Sequence, residues 1–301
     1  MEPVKLISID CVLDYLDNVP ALGHQHGGQH GGGCNITWFW SRVCNLSILE
    51  TIRCLGGLAV KVVVKTISDQ RPEFYPGTRH QYPFYEQRGT AVQRVGSGRF
   101  WGLTKYSEPE NRSCPCQECR TAQNPKKTWA YVMIVTAAHV VYDKSEAEKT
   151  VCLVDYDDEN SDVFHLCGHD VGEVCVEEDR SNLICVTHDA DLVEKFEKTW
   201  SVFMELFKTL NRKYEDYSAL ENKLTVVVSH PHGGVKRVSI GQWVHRLTVK
   251  GQSNRFCYTA CTCPGSSGAF VFILGMKGWW YHHVHSGTSL GFNYSGTGCG
   301  F

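Results

Sequence analysis

Short β-branched runs separated by Gly, Asn and Asp fill the middle of the chain, at 90–95, 130–137, 151–156, 163–166, 172–176 and 183–186. Short strands at such regular spacing predict a barrel or a sandwich. The period then changes. Leu192, Phe196, Phe203, Leu206, Phe207 and Leu210 recur at helical spacing within 187–220, which predicts a helix between two β regions. Strands resume at 224–229, 236–240, 243–249, 255–260, 269–274 and 279–285. The pattern divides the chain into an N-terminal extension (1–88), a first β-barrel (89–186), a helical connector (187–222) and a second β-barrel (223–301).

The extension reads less clearly. Residues 1–22 suit a short amphipathic helix, and 23–33 are a Gly/His-rich low-complexity stretch that reads as a flexible linker. Its His24, His26 and His30 offer weak metal ligands, although solvated linker is the plainer reading. Residues 58–67 read as a strand with Val60, Val62 and Val64 on one face, followed by a Pro- and Tyr-rich loop at 71–85.

Composition narrows the class. The 301 residues carry 30 basic and 32 acidic side chains, a formal charge of -2, so no global field points to nucleic acid or to an anionic membrane. No apolar run approaches the roughly 20 residues of a membrane span. The start lacks the features of an export signal, so a cytoplasmic location is expected. In that compartment the fifteen cysteines are expected to be reduced thiols or metal ligands, most of them small buried hydrophobes.

Two motifs carry the chemistry. The apolar run 131–135 leads into Thr136-Ala137-Ala138-His139, where two small residues let an imidazole lie over the seam between two β units. Far downstream, Gly265-Ser266-Ser267-Gly268-Ala269 sets a serine in a glycine turn before another apolar strand. A serine hydroxyl becomes a useful nucleophile when an imidazole takes its proton. The backbone N–H groups of Gly265 and Ser267 can converge as an oxyanion hole. Taken singly, each motif also reads as a core histidine or a plain Gly-Ser loop.

Together, residues 89–301 resemble the trypsin and chymotrypsin-like serine protease family on these two motifs. The segment 226–241, with His230-Pro231-His232-Gly233-Gly234, looks like the opening hairpin of the second barrel in HtrA-type relatives. The resemblance implies an all-β fold of two packed six-stranded antiparallel barrels with His139 as base and Ser267 as nucleophile. It implies peptide or protein substrates, with no cofactor and no catalytic metal. For the acid, Asp179, Asp189 and Asp191 compete. The family's strand context favours Asp179, whereas Asp189 precedes the helical pattern and suits a cap.

Departures are informative. Ser266 replaces the aspartate that pairs with a newly released N-terminus in zymogens, so activation by such cleavage is not expected. Val140 replaces a cysteine of secreted relatives, and Ala269 replaces the second glycine of the serine motif. Only 14 residues (288–301) follow Gly287, fewer than the family's strand and helix, which implies an incompletely closed second barrel. Thr262 and His285, with Gly287 completing His-x-Gly, resemble the pocket walls of glutamyl endopeptidases and of picornaviral chymotrypsin-like cysteine proteases. That implies cleavage after Glu or Gln, against the plainer alternative of a pocket with polar walls.

Cys114-Pro115-Cys116-Gln117-Glu118-Cys119 is a second candidate site. Three thiolates at this spacing can ligate zinc with a fourth ligand such as Cys167 or His165; a disulfide plus a thiol, or three reduced cysteines, are the alternatives. The functional expectation is a serine endopeptidase. The rival is an inactive binding or scaffold protein on a protease-like fold.

Overall fold

Val60, Val62 and Val64 are wholly buried, while Lys61 and Val63 between them are partly exposed. This is the two-residue alternation of a strand with one face on a core. The computed structural model describes residues 7–8, 46–107, 113–214, 223–248, 253–276, 283–289 and 291–299. The valines belong to β2 (Ala59–Val64), which joins β3 (Arg94–Tyr106), β4 (Trp129–Thr136), β5 (Thr150–Val154), β6 (Phe164–Cys175) and β7 (Arg180–Thr187) in a closed antiparallel barrel. Its strand order is β2-β3-β4-β7-β6-β5. Closure leaves no unpaired edge.

The barrel therefore begins at Ala59, not at Gly89. The long β2–β3 loop, rich in Pro and Tyr, looks like a domain boundary but connects neighbouring strands. β3 is also longer than the 90–95 run suggests, since it continues through Gly96-Ser97-Gly98 to Tyr106. Those residues have the composition of a turn, yet their lack of bulk suits a closely packed seam.

The second unit contains β8 (Leu224–Ser229), β9 (Arg237–Thr248), β10 (Ser253–Tyr258), β11 (Val271–Ile273), β12 (His285–Ser289) and β13 (Phe292–Cys299), in the order β11-β8-β9-β10-β13-β12. Among the described residues the strands of the expected second barrel pair as an antiparallel sheet. Among the described residues its two ends come together beside β11 and β12 at the isolated Phe270–Val284 bridge, flanked by His285 N donating to Ala269 O (2.7 Å), Val271 N to His283 O (3.1 Å) and Gly268 N to His285 O (2.8 Å). With only three residues, β11 is too short for a longer ladder. At the opposite edge of β9, β1 (Ile7–Ser8) adds an antiparallel pair, so this part of 1–22 is strand and not helix. The rest of 1–22, the linker at 23–33 and residues 279–282 of the expected strand at 279–285 lie outside the described residues.

α1 (Leu46–Leu58) precedes the barrel, and the connector forms one long helix. Since two very short helices (Gln117–Thr121, α2; Lys144–Ala147, α3) intervene, the connector is α4 (Ala190–Lys213). Asp189 caps it by accepting from Leu192 N at 2.9 Å, satisfying one of the N–H groups left open at a helix start. The buried side of α4 touches both β units. Phe196 stacks on Phe100 of β3 at 4.4 Å, and Phe207 meets Phe272 of β11 at 6.3 Å. Each such buried ring is worth roughly 1.5–3 kcal/mol, so α4 fixes how the two units pack. No helix among the described residues is long and apolar enough to cross a membrane.

Candidate active site

β4 delivers His139. Thr136, Ala137 and Ala138 at and just beyond its end are fully buried, and Val140 N and Val141 N donate back to Ala137 O at 3.0 and 3.2 Å. The chain thus turns tightly as it leaves the barrel, and the His139 side chain stays at the surface with 12% of its area exposed.

Beneath the turn lies a buried ion cluster. The Glu146 carboxylate accepts from Arg71 (Nε 2.7 Å, Nη2 2.8 Å), Arg94 (2.8 Å), Ser68 N (2.9 Å) and Tyr142 N (2.9 Å). The same arginines donate to the carbonyls of His139 (3.1 Å) and Val140 (3.0 Å). Tyr82 and Phe84, from the β2–β3 loop, place their rings beside the Arg71 guanidinium, each with its centroid 5.6 Å away. A loop assigned to the extension thereby holds the histidine turn in place.

Asp179 is the carboxylate that meets His139. The ring Nδ1 lies 2.8 Å from Asp179 Oδ2 and 3.0 Å from Oδ1, and the His139 backbone N donates to Oδ1 at 3.0 Å. A carboxylate facing Nδ1 requires the proton on that nitrogen, which leaves Nε2 as the acceptor. Asp179 adopts φ +52°, a left-handed conformation that Asp tolerates better than most residues, in the turn leading into β7. Its neighbour Arg180 is engaged by Glu173 (2.9 Å) and Glu178 (3.1 Å).

A further contact was not legible in the sequence: the Ser286 hydroxyl, from β12, donates to Asp179 Oδ2. One carboxylate therefore links the first barrel to the second sheet. Asp189 is occupied as the α4 cap, and its neighbour Asp191 lies in the first turn of that helix.

Ser267 reaches the same seam through its backbone. Ser97 N of β3 donates to Ser267 O at 2.7 Å, and Ser97 Oγ donates to Gly265 O at 2.8 Å while accepting from His230 N at 2.9 Å. Gly268, at φ +86°, lies so close that a Cβ there would meet Ser97 O and Thr136 Oγ1 at 2.2 Å. Only glycine fits this contact. The serine turn is thereby pressed against the end of β4, three residues before His139. Among the described residues, neither the amide N–H groups of Gly265 and Ser267 nor the Ser267 hydroxyl makes a hydrogen bond, and the hydroxyl is not bonded to His139. Ser266 turns inward, completely buried, with its hydroxyl 3.1 Å from that of Ser229.

The two expected pocket residues have separate hydrogen-bond partners. Thr262 donates its hydroxyl proton to Asn293 Oδ1 at 2.8 Å, so it has no donor left. His285 is buried, its Nδ1 2.7 Å from the Tyr258 hydroxyl. Burial, reinforced by nearby His139 and opposed by Asp179, pushes its pKa down to about 3. The ring is neutral at physiological pH. Gly287 lies against the Tyr294 hydroxyl, which a Cβ would meet at 2.7 Å. Neither Tyr258 nor Asn293 carries a local sequence signal.

No family model and no curated protein matches the sequence. Solved structures similar to it include the HtrA-type protease AlgW with a tripeptide (7% identity, TM-score 0.43, covering 82% of this chain and 58% of that one). The active form of the Rv3671c protease from M. tuberculosis aligns at 12% identity and TM-score 0.42, covering 92% of this chain and 89% of that one. Deg5 aligns at 10% identity and TM-score 0.42, covering 82% and 87%. The chain spans less than two thirds of AlgW's length.

Proposed function

We propose that the chain is a serine endopeptidase. The observation that carries this reading is the Asp179–His139 pair, anchored on two oxygens and a backbone N–H, beside a serine turn docked at the same seam. In the proposed cycle Asp179 holds the Nδ1–H tautomer, and His139 Nε2 takes the proton of Ser267 as the hydroxyl attacks the scissile carbonyl. The Gly265 and Ser267 amides stabilise the oxyanion, each donor worth roughly 2.7–4 kcal/mol in the transition state. His139 then protonates the leaving amine, and water hydrolyses the acyl enzyme. Ser286 positions Asp179 and does not touch substrate.

The pocket reading supports glutamine over glutamate before the scissile bond. If the Tyr258 hydroxyl donates to Nδ1, His285 presents a neutral Nε2–H suited to an amide oxygen. A carboxylate would meet no compensating positive charge there.

The rival is a binding protein on the same scaffold, favoured by the lack of a hydrogen bond between the Ser267 hydroxyl and His139. Catalytic hydrogen bonds are often incomplete before substrate binds. Fluorogenic peptides that vary only the residue before the cleaved bond separate the readings. We expect hydrolysis with Gln above Glu and far above Arg or Phe, abolished in Ser267→Ala. Hydrolysis led by Arg or Phe contradicts the specificity, and binding without hydrolysis supports the scaffold.

A further inference from the structure

We propose that the far end of the first barrel is a zinc site, with Cys114, Cys116 and Cys119 as three ligands and His188 as the fourth. The loop between β3 and β4 brings the three sulfurs within 4.8 Å of one another, and none of them is in a disulfide. A tetrahedral site with Zn–S near 2.3 Å sets its sulfurs about 3.8 Å apart, so the cluster closes on an ion with small side-chain rotations. Two sulfurs already accept backbone N–H groups: Cys116 from Cys119 N at 3.4 Å and Cys119 from Lys126 N at 3.5 Å. Such donors stabilise thiolates. Cys114 N donates to Lys126 O at 2.8 Å and closes the loop on itself.

The fourth position is what the sequence did not show. His188 and Glu118 both bring a ligand atom within 4.8 Å of the Cys116 sulfur. Glu118 has 87% of its side chain exposed and His188 has 33%, with 3.9 Å between His188 Nε2 and Glu118. Zinc held by three thiolates takes imidazole readily, and a carboxylate beside the ring is the usual supporting partner of a ligating histidine. Cys167 and His165, the alternatives raised by the sequence, lie on β6 and join neither cluster of ligand atoms.

The surroundings fit a structural ion. Cys114 and Cys119 are buried against Trp129 and Val186, with Tyr106 and Tyr131 alongside; the Tyr106 and Trp129 rings stack at 4.3 Å. Binding Zn²⁺ displaces three thiol protons and leaves a net charge of -1 on the complex. His188 stands between β7 and the Asp189 cap of α4, so the ion ties the cysteine loop to the start of the connecting helix. Trp129 and Thr136 are the two ends of β4, whose eight residues span roughly 26 Å. The ion is therefore remote from His139 and stabilises the fold without entering the chemistry.

The test is elemental analysis of the full chain purified from zinc-supplemented medium, paired with cobalt substitution. We expect one zinc per chain, a tetrahedral cobalt–thiolate spectrum, and loss of metal in Cys116→Ser. His188→Ala should weaken zinc at least about 10-fold against a chromophoric chelator, while Cys167→Ser and His165→Ala leave it unchanged. If Cys116→Ser fails to fold, His188→Cys decides: it should keep cobalt and strengthen the thiolate-to-metal absorption. Wild-type protein without metal, with all three thiols open to a thiol reagent, overturns the site. Tight metal indifferent to both His188 variants overturns the fourth ligand.

Discussion

The two sides of the seam are held in different ways. On the barrel side, His139 is fixed through its ring, its amide and its carbonyl, above a carboxylate shared by two arginines. On the sheet side, Ser267 is held by its carbonyl and by the close packing of Gly268, and its hydroxyl is unbonded among the described residues. A general base benefits from one fixed tautomer and orientation, whereas a nucleophile must move through attack and release. The difference implies that losses on the barrel side act through both stability and chemistry, and loss of the Ser267 hydroxyl on the sheet side through chemistry alone.

The largest effect should come from the sheet side. Ser267→Ala is expected to lower kcat by about 10⁶ with little change in melting temperature, measured by progress curves beside calorimetry. Asp179→Asn should cost about 10⁴ in kcat through the wrong His139 tautomer; pH–rate profiles in which the variant equals wild type would remove Asp179 from the chemistry. Glu146→Gln strips two buried arginines of their counter-charge, a loss of about 3–5 kcal/mol in stability. Denaturant titration checks it, and an unchanged midpoint would show that the cluster does not hold the His139 turn.

A smaller effect is set by pH. Burial pushes His230 and His285 each down to about 3, so both are neutral in the folded chain and bind protons only after unfolding. Their contribution to stability is complete above the ordinary histidine value near 6.5 and is lost progressively as pH falls from there toward 3. Urea midpoints across that window should decline, and His230→Asn should make the decline shallower. The smallest expected effect is Tyr258→Phe, which frees His285 Nδ1 and should narrow the Gln-over-Glu preference by about 10-fold while leaving Ser267 reactive.

Local periodicity made most of the barrel strands and α4 readable, because one face of each is buried and its spacing survives in the sequence. β3 was only half readable: Gly96-Ser97-Gly98 looks like a turn, and the need for small residues comes from Val140 and the Ser267 carbonyl packed against Gly96 and from Ile134 and Val62 packed against Gly98. The His139 and Ser267 motifs were legible as local turns. Ser286 and Tyr258 were not, since their partners lie 107 and 27 residues away and a lone serine or tyrosine in a strand announces nothing. The β2–β3 loop misled the domain boundary for a similar reason. Its composition speaks of a linker, while Arg71 acts on Glu146, 75 residues on.

The central claim is that the hydroxyl of Ser267 is activated by His139. Treatment of the full chain with a fluorophosphonate, followed by intact mass and peptide mapping, tests it most directly. The account predicts one adduct per chain, located on Ser267 and slowed by orders of magnitude in Asp179→Asn. Folded wild-type protein that takes no adduct, or takes it on another residue, would contradict it.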